Sequence, residues 1–364
     1  MNKTPALPDY RNNAFDFIRW FAAFEVMILH YSGYARIARA GAQPGLPQSL
    51  GLLFLRRLTE GVPPVVIFFA VSGFLTAASR ARSGSAAEFL RRRLLRIYPT
   101  LWICVAVYAA VMAVVLKGAA DGSFFRWLAV SVTGAAYTPS CMKSFGTGSV
   151  NGTLWMIGVL VQLYLVTAAA GQWLSARKAR GWGLILAACA AANLFCGYAF
   201  APGMQGPGAK LMERTAVPYA LYYFAGAAAY YNRQQVLPLL KKAAPYCAAG
   251  LFLWRILVIS AGFAEPGYYA GIVTAVLTVS AALGAAYALP AGRIRSDLTY
   301  ELYLMHWLIL NFFVEYGLTA RRHWFPWMAL FLALSLGAAF GLKCAASFLK
   351  SMAGRSRLPK NRNN

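Results

Sequence analysis

Long apolar stretches recur along the whole chain, and short polar connections separate them. A helix needs roughly 20 apolar residues to cross the hydrocarbon core of a bilayer. Only 13% of the residues are Asp, Glu, Lys or Arg, too few to cover the surface of a soluble domain of this length. The stretches also lack the in/out alternation of a membrane β-barrel. The sequence therefore predicts an all-α fold, a polytopic membrane helix bundle.

Ten stretches predict transmembrane helices, at approximately 14–34, 61–79, 97–116, 153–170, 182–200, 216–231, 244–262, 268–289, 297–316 and 325–349. An eleventh, 124–140, is ambiguous, and the Lys and Arg residues decide it because cytoplasmic loops are rich in both. With a cytoplasmic N-terminus and a non-crossing 124–140, the cytoplasmic segments hold twice as many Lys and Arg residues as the outer ones. If 124–140 crosses, the outer segments hold the majority. We therefore expect about ten transmembrane helices, both termini in the cytoplasm, and 124–140 as an outer-face or re-entrant segment.

The organisation of the chain follows from the same stretches. We expect one transmembrane domain over 1–350 and a basic cytoplasmic tail over 351–364, with the first helix retained because charged residues interrupt it. The net charge is +24, and the basic residues lie between apolar stretches, which favours a topological role over nucleic-acid binding. The six cysteines form no CxxC pair and no metal-ligand spacing, so we expect buried thiols and no metal site.

The first predicted helix carries ionisable residues at membrane depth, which are costly and often functional. Arg19 and His30 are eleven positions apart, and at about 100° per residue this is three turns plus about 20°, with a rise of about 16 Å. Both side chains therefore lie on one helical face, and Glu25 lies on another. A histidine is a natural general base near neutral pH, and the alternative is a hydrogen-bonded packing residue beside a snorkelling arginine.

A run of arginines marks the start of the third predicted span. Arg93 and Arg96 are three residues apart and project from one helical face. Arginine forks suit phosphate groups, and the alternative is a plain positive-inside anchor.

The other two histidines lie in different settings. His306 lies near the middle of the ninth predicted helix. His323 lies in an outer loop, where interfacial anchoring is the favoured interpretation.

Five segments, in this order, resemble the acyltransferase-3 family of integral membrane O-acyltransferases, which modify sugars with acyl groups. The likeness covers most of the chain and agrees with the ten-helix topology. Its motifs are Arg19-x10-His30, the FFxxSGFL segment Phe68–Leu75, the RxxR pair Arg93 and Arg96, the NGxLW segment Asn151–Trp155 and the YxxYLxH segment Tyr300–His306.

The resemblance implies an acyl-CoA-dependent O-acyltransferase of the bacterial inner membrane, without a bound cofactor. Acetyl-CoA is the expected co-substrate, entering from the cytoplasm, and the expected acceptor is a hydroxyl of a cell-surface or lipid-linked glycan. By the same resemblance His30 is the catalytic base, Arg19 orients the donor or stabilises developing charge, and Arg93 and Arg96 bind the donor. Further site residues that it implies are His306, Trp155, Tyr300, Ser72 and Gly73, the last two mainly as close-packing residues.

One position departs from the family pattern. Many relatives carry a Glu five residues after the Trp of the NGxLW segment, and this chain has Leu160 there, with Gln162 as the nearest polar residue. Two other functions stay open on the residues alone. A secondary transporter or flippase also uses intramembrane charges, although its usual internal repeats are not evident here. In a membrane scaffold, the charges merely pair helices.

Overall fold

The computed structural model describes residues 12–42, 50–117, 120–200, 206–292, 294 and 297–355. Within these ranges the chain forms α-helices and three short 3-10 turns, and contains no β-strand. Of the predicted tail 351–364, residues 351–355 continue the last helix, and 356–364 lie outside the described residues. The helices are α1 Phe15–Ala42, α2 Leu50–Gly61, α3 Pro64–Ala81, α4 Ala86–Leu116, α5 Gly122–Ser131, α6 Trp155–Ser175, α7 Ala179–Ala199, α8 Pro207–Glu213, α9 Ala220–Tyr231, α10 Arg233–Ala261, α11 Ile272–Ala288, α12 Thr299–Glu315 and α13 Trp324–Arg355.

Each of the ten predicted spans coincides with one of these helices, which confirms the all-α prediction. Six helical segments of the described chain are long and apolar enough to cross a membrane, namely Leu50–Ala81, Ala86–Leu116, Trp155–Ser175, Ala179–Ala199, Arg233–Ala261 and Trp324–Met352. α11 is apolar but has 17 residues, and α9 has 12 residues. At about 1.5 Å per residue, α9 rises about 18 Å, less than the roughly 30 Å hydrocarbon core.

The ambiguous segment 124–140 overlaps the ten-residue helix α5, which rises about 15 Å and is too short to cross a bilayer. Asp121 caps its start by accepting hydrogen bonds from the backbone N–H groups of Ser123 at 2.9 Å and Phe124 at 3.3 Å. A further hydrogen bond from the Ser123 hydroxyl lowers the pKa of Asp121 to about 2, so the cap stays ionised near neutral pH. Ser140 donates to the same carboxylate at 3.0 Å and closes the segment into a loop.

The expected topology is tested by labelling introduced cysteines in intact cells, in a background without the native thiols. Ser175 and Lys210 are exposed residues on opposite sides of α7 along the chain. Because the basic connection 171–181 is expected in the cytoplasm, Lys210→Cys should react with an impermeant maleimide and Ser175→Cys should react only after lysis. Labelling of Ser175→Cys from outside would contradict the ten-helix topology.

The helices divide into two compact units. Unit 1 comprises the described residues of 1–29, 48–93 and 155–297, and unit 2 those of 30–47, 94–154 and 298–364. In unit 1, the backbones of α3 and α9 are in direct contact. A side chain on Gly73 would collide with the carbonyl of Tyr223, and a side chain on Gly226 would collide with the carbonyl of Ala70. Small residues permit this close helix packing inside a membrane protein.

Unit 2 is built around α12, whose middle is almost completely buried. Tyr108 of α4 donates a 3.0 Å hydrogen bond to the carbonyl of Leu304 on α12. Tyr31 of α1 lies against the rings of Phe313 on α12 and Phe331 on α13, at 6.5 and 5.5 Å between ring centroids. Aromatic packing on one side and a tyrosine hydrogen bond on the other therefore fix the rotation of α12 within this unit.

Candidate functional site

Two histidines that are far apart in the sequence meet in unit 2. Nδ1 of His30 on α1 lies 3.0 Å from Nε2 of His306 on α12. The two rings are nearly parallel, with 4° between their planes and 5.3 Å between centroids. His306 is fully buried and His30 is half-buried. His30, the predicted catalytic base, is therefore hydrogen-bonded to His306, which the family resemblance also implies as a site residue.

The hydrogen bonds fix which ring nitrogens carry protons. Nδ1 of His306 lies 2.9 Å from the carbonyl oxygen of Leu302, which can only accept, so this nitrogen carries the proton. In a neutral imidazole the other nitrogen is then a bare acceptor, and His30 must donate to it through its own Nδ1–H. It follows that Nε2 of His30 holds the lone pair. The two hydrogen bonds from Leu302 through His306 to His30 thus leave Nε2 of His30 as the atom that can accept a proton.

The loop that precedes α6 packs along α12, the helix that carries His306. Asn151 donates a 3.1 Å hydrogen bond to the carbonyl of Leu304, and the hydroxyl of Thr153 bonds to the carbonyl of Tyr303 at 3.3 Å. The Tyr303 hydroxyl donates in return to the carbonyl of Thr153. The Asn of the NGxLW segment therefore anchors this loop one turn or less from His306.

Trp307 connects this loop to His30. Its indole N–H lies within hydrogen-bond distance of the Thr147 hydroxyl, at 3.0 Å, and its ring lies edge-on to His30 with 4.8 Å between centroids. Asn311, one turn further along α12, donates to the carbonyl of Ser149 at 3.0 Å and accepts from the Thr147 hydroxyl at 2.7 Å. These contacts hold the indole in place, so that it limits the movement of the His30 ring.

Arg19 lies in unit 1 between two carboxylates. One of its Nη atoms is 2.5 Å from Asp16 of the same helix turn, and the other is 2.9 Å from Asp297, in the segment just before α12. Both contacts are partly buried, which makes them stronger than exposed ion pairs. In this arrangement the guanidinium braces the start of α1, and binding an anion there requires exchange of a carboxylate.

Arg93 lies in unit 1 among three helices. Its Nη2 donates a 2.6 Å hydrogen bond to the carbonyl of Leu75 on α3. The guanidinium lies 6.0 Å from the ring centroid of Phe89 on α4 and 5.7 Å from that of Tyr164 on α6. Because these contacts restrict the side chain, the charge is held at one place rather than on a mobile stem. Arg96, in unit 2, is exposed on α4.

The other predicted site residues have structural contacts. Tyr300 donates a 3.1 Å hydrogen bond to the carbonyl of Ile97 in unit 2. Trp155, at the start of α6 in unit 1, packs on Tyr219 with 5.1 Å between ring centroids. Ser72 is half-buried on α3, next to the Gly73 contact with α9.

Gln162, the polar residue nearest to Leu160, bridges two parts of unit 1. Its amide nitrogen donates to the carbonyl of Arg214 at 2.8 Å, and its amide oxygen accepts from the N–H of Ala216 at 3.0 Å. Gln162 therefore ties α6 to the loop before α9.

Sequence reasoning missed three parts of this site. It did not identify Asp297 as the second carboxylate of Arg19, because helical periodicity does not show which distant residue lies next to Arg19. It did not assign a role to Trp307 or Asn311, which appear as ordinary residues of an apolar helix. Their positions three to four residues apart in α12 were the available signal, since such residues share a helical face with Leu304 and the loop that covers it.

A family model for acyltransferase domains matches residues 12–344, almost the whole chain. The chain belongs to this acyltransferase family. With its apolar helices, it is a multi-pass membrane acyltransferase. The predicted membership of this family is thereby confirmed, and the roles of individual residues stay predictions.

Three relatives extend this finding. The acyltransferase is 28% identical over 337 residues to "Nodulation protein 10" of Rhizobium leguminosarum bv. viciae, and the match covers 88% of each chain. It is 26% identical to an "O-acetyl transferase" of Shigella phage Sf6 over 47% of this chain and 49% of that protein. It is 35% identical to "Acyltransferase MdmB" of Streptomyces mycarofaciens over 22% of this chain and 19% of that protein. No solved structure matches.

Proposed function

We propose that this acyltransferase moves an acetyl group from acetyl-CoA to a hydroxyl of a cell-surface or lipid-linked glycan. The His30–His306 pair carries the proposal, because O-acyl transfer needs a base that takes a proton from a poorly acidic hydroxyl. The name of the phage relative supports acetyl as the acyl group. In this proposal residues 1–350 form one catalytic domain in the bacterial inner membrane, with both termini in the cytoplasm.

The proposed reaction begins at Nε2 of His30. This nitrogen takes the proton of the acceptor hydroxyl while the hydroxyl oxygen attacks the thioester carbonyl carbon. The tetrahedral intermediate then collapses, the C–S bond breaks, and the proton on Nε2 passes to the departing CoA thiolate. The products are an O-acetyl ester and CoA, and His30 returns to its starting state, so the step requires no metal or redox partner.

His306 acts through His30 in this scheme and is a positioning residue. While His30 holds the second proton it is an imidazolium, and its Nδ1–H donates to Nε2 of His306 more strongly than in the neutral ring. Because His306 in turn donates to the carbonyl of Leu302, it cannot flip to the other tautomer without losing that hydrogen bond. The acceptor for the His30 N–H is therefore always present.

We propose that Arg93 binds a phosphate of CoA, with Arg96 as a second contact, and that Arg19 positions the start of α1. An arginine carries its N–H donors in a rigid fork that matches a phosphate group, and the bond of Arg93 to the carbonyl of Leu75 holds this fork in place. The aromatic rings on two sides reduce the entropy that the side chain loses when a phosphate binds.

Arg93→Ala should weaken CoA binding about 10- to 100-fold, since hydrogen bonds to charged groups contribute about 1.5–3 kcal/mol. Calorimetry with CoA and purified protein measures this directly. Arg93→Lys should restore only part of the affinity, because an ammonium is not a bidentate fork. The matched control is Arg91→Ala, which removes an exposed arginine of the same run. Equal affinity in both alanine variants would reduce Arg93 to a topology anchor.

Acetyl transfer itself is tested with purified protein, acetyl-CoA and two acceptor preparations, simple alkyl glycosides and a lipid extract of the host membrane. Mass spectrometry follows the added acetyl group on the acceptor, and a thiol reagent follows CoA release. We expect acceptor-dependent CoA release with an equal amount of acetylated product. Gradient-driven solute uptake without any acetylated product would instead establish the transporter.

A further inference from the structure

A cavity of about 540 Å³ lies in unit 1 among α7, α9, α10 and α11. Its volume is within the roughly 300–1,000 Å³ of pockets that hold small ligands. The helices leave this space because many of the lining residues are the smallest ones. They include Gly183, Ala187, Ala190, Ala225, Ala228 and Ala229. Apolar side chains of all four helices, among them Leu186, Leu221, Leu240 and Val276, form most of the remaining wall, so the interior offers contacts to an apolar ligand.

Two of the polar lining residues lie where α9 ends and α10 begins. Asn232 and Gln235 line the cavity there, and so does Ala179 in the first turn of α7. Lys178 and Arg180 flank Ala179, and both are exposed. Arg233, the next residue after Asn232, donates to the carbonyl of Tyr230 at 3.2 Å and lies over the ring of that residue. The connections 171–181 and 232–243 contain no Asp or Glu, so this end of the cavity is cationic.

We propose that the cavity binds an anionic phospholipid of the bilayer, with one acyl chain in the alanine-lined space and the phosphate at Lys178 and Arg180. An acyl chain fits the apolar walls, and the cationic end complements the lipid phosphate. Basic groups beside helices on the cytoplasmic side of a membrane are typical sites for acidic lipid headgroups. This site is separate from the His30 chemistry and does not depend on the proposed function.

The dimensions and lining favour a lipid chain over two other occupants. A helix of another protein is about 10–12 Å wide with its side chains, so 540 Å³ accommodates roughly one turn. A sugar needs several hydrogen-bonding groups along the cavity. Tyr222, a polar residue of the wall, already donates its hydroxyl proton to the carbonyl of Tyr268 at 2.5 Å.

The test uses native mass spectrometry of the purified full-length protein, titrated with phosphatidylglycerol, with phosphatidylcholine of the same chains, and with inorganic phosphate. We expect phosphatidylglycerol to bind at least tenfold more tightly than phosphatidylcholine, and excess phosphate to leave this binding unchanged. Ala190→Leu and Ala225→Leu fill the cavity and should each weaken both lipids at least tenfold. Lys178→Gln with Arg180→Gln should bring phosphatidylglycerol down to the affinity of phosphatidylcholine.

Two controls match these variants. Ala248→Leu adds the same side chain on an exposed part of α10 outside the cavity, and Arg321→Gln with Arg322→Gln removes two exposed charges elsewhere. Both should bind phosphatidylglycerol like the unmodified protein. Three results would each overturn the proposal. They are equal affinity for the two lipids, displacement of phosphatidylglycerol by inorganic phosphate, and unchanged lipid affinity of the Ala190→Leu variant. The charge variant alters only exposed residues, so it stays informative if a cavity-filling variant does not fold.

Discussion

Replacement of His30 by alanine is expected to reduce the rate of acetyl transfer about 10²- to 10⁴-fold, the usual effect of losing a general base. The loss has a specific cause, since Nε2 of His30 is the atom that takes the hydroxyl proton and no other nitrogen occupies that position. Folding and CoA affinity should stay unchanged, because the proposed donor contacts lie on other side chains. Mass spectrometry of the acceptor glycan measures transfer, and calorimetry measures CoA binding on the same preparation.

His323→Ala is the matched control, because it removes a histidine from an exposed loop and should leave transfer unchanged. His30→Gln tests whether a hydrogen-bonding group that cannot accept a full proton suffices, and we expect it to be as inactive as His30→Ala. If His30→Ala transfers normally and His306→Ala does not, the assignment of the two histidines is inverted and α12 holds the base.

Replacement of His306 by alanine is expected to reduce kcat about 10- to 100-fold, the range typical for partners that orient a functional histidine. The change is milder than the loss of His30 because the base itself remains. Without the acceptor at 3.0 Å, however, the His30 ring loses the hydrogen bond that sets its tautomer and orientation. The KM for acetyl-CoA should not change, since His306 does not contact the donor in this scheme.

A glutamine at position 306 separates this role from simple packing. Its amide oxygen can accept the Nδ1–H of His30, so His306→Gln should recover part of the kcat lost in His306→Ala. His306→Leu fills the same buried volume without an acceptor and should not recover it. The double variant His30→Ala with His306→Ala should be no slower than His30→Ala alone, because residues that act as one unit are not additive. Equal kcat values for the Gln and Leu variants would contradict a positioning role.

The helices could be predicted from the sequence because their signal is local. Each apolar stretch is recognised from neighbouring residues. Because unpaired backbone N–H and C=O groups are costly in lipid, an apolar stretch that crosses the membrane forms a helix, which pairs these groups within the segment. The same reasoning placed Arg19 and His30 on one face of α1, since the helical repeat fixes this once the helix forms. The short α5 also fits the prediction from the Lys and Arg residues that 124–140 does not cross.

The contacts of the site could not be predicted, because they join residues far apart in the chain. His30 and His306 are separated by 276 positions, and only the packing of α1 against α12 brings Nδ1 of one to Nε2 of the other. The same holds for Asp297 beside Arg19, 278 positions away, and for the loop that fixes Trp307. Helical periodicity gives the face of each helix but not the helix that this face meets. The sequence alone thus determined the helices and identified the two histidines as candidate site residues. Only the tertiary structure showed that the two histidines form a hydrogen-bonded pair, because side-chain packing between distant segments decides which helical faces touch.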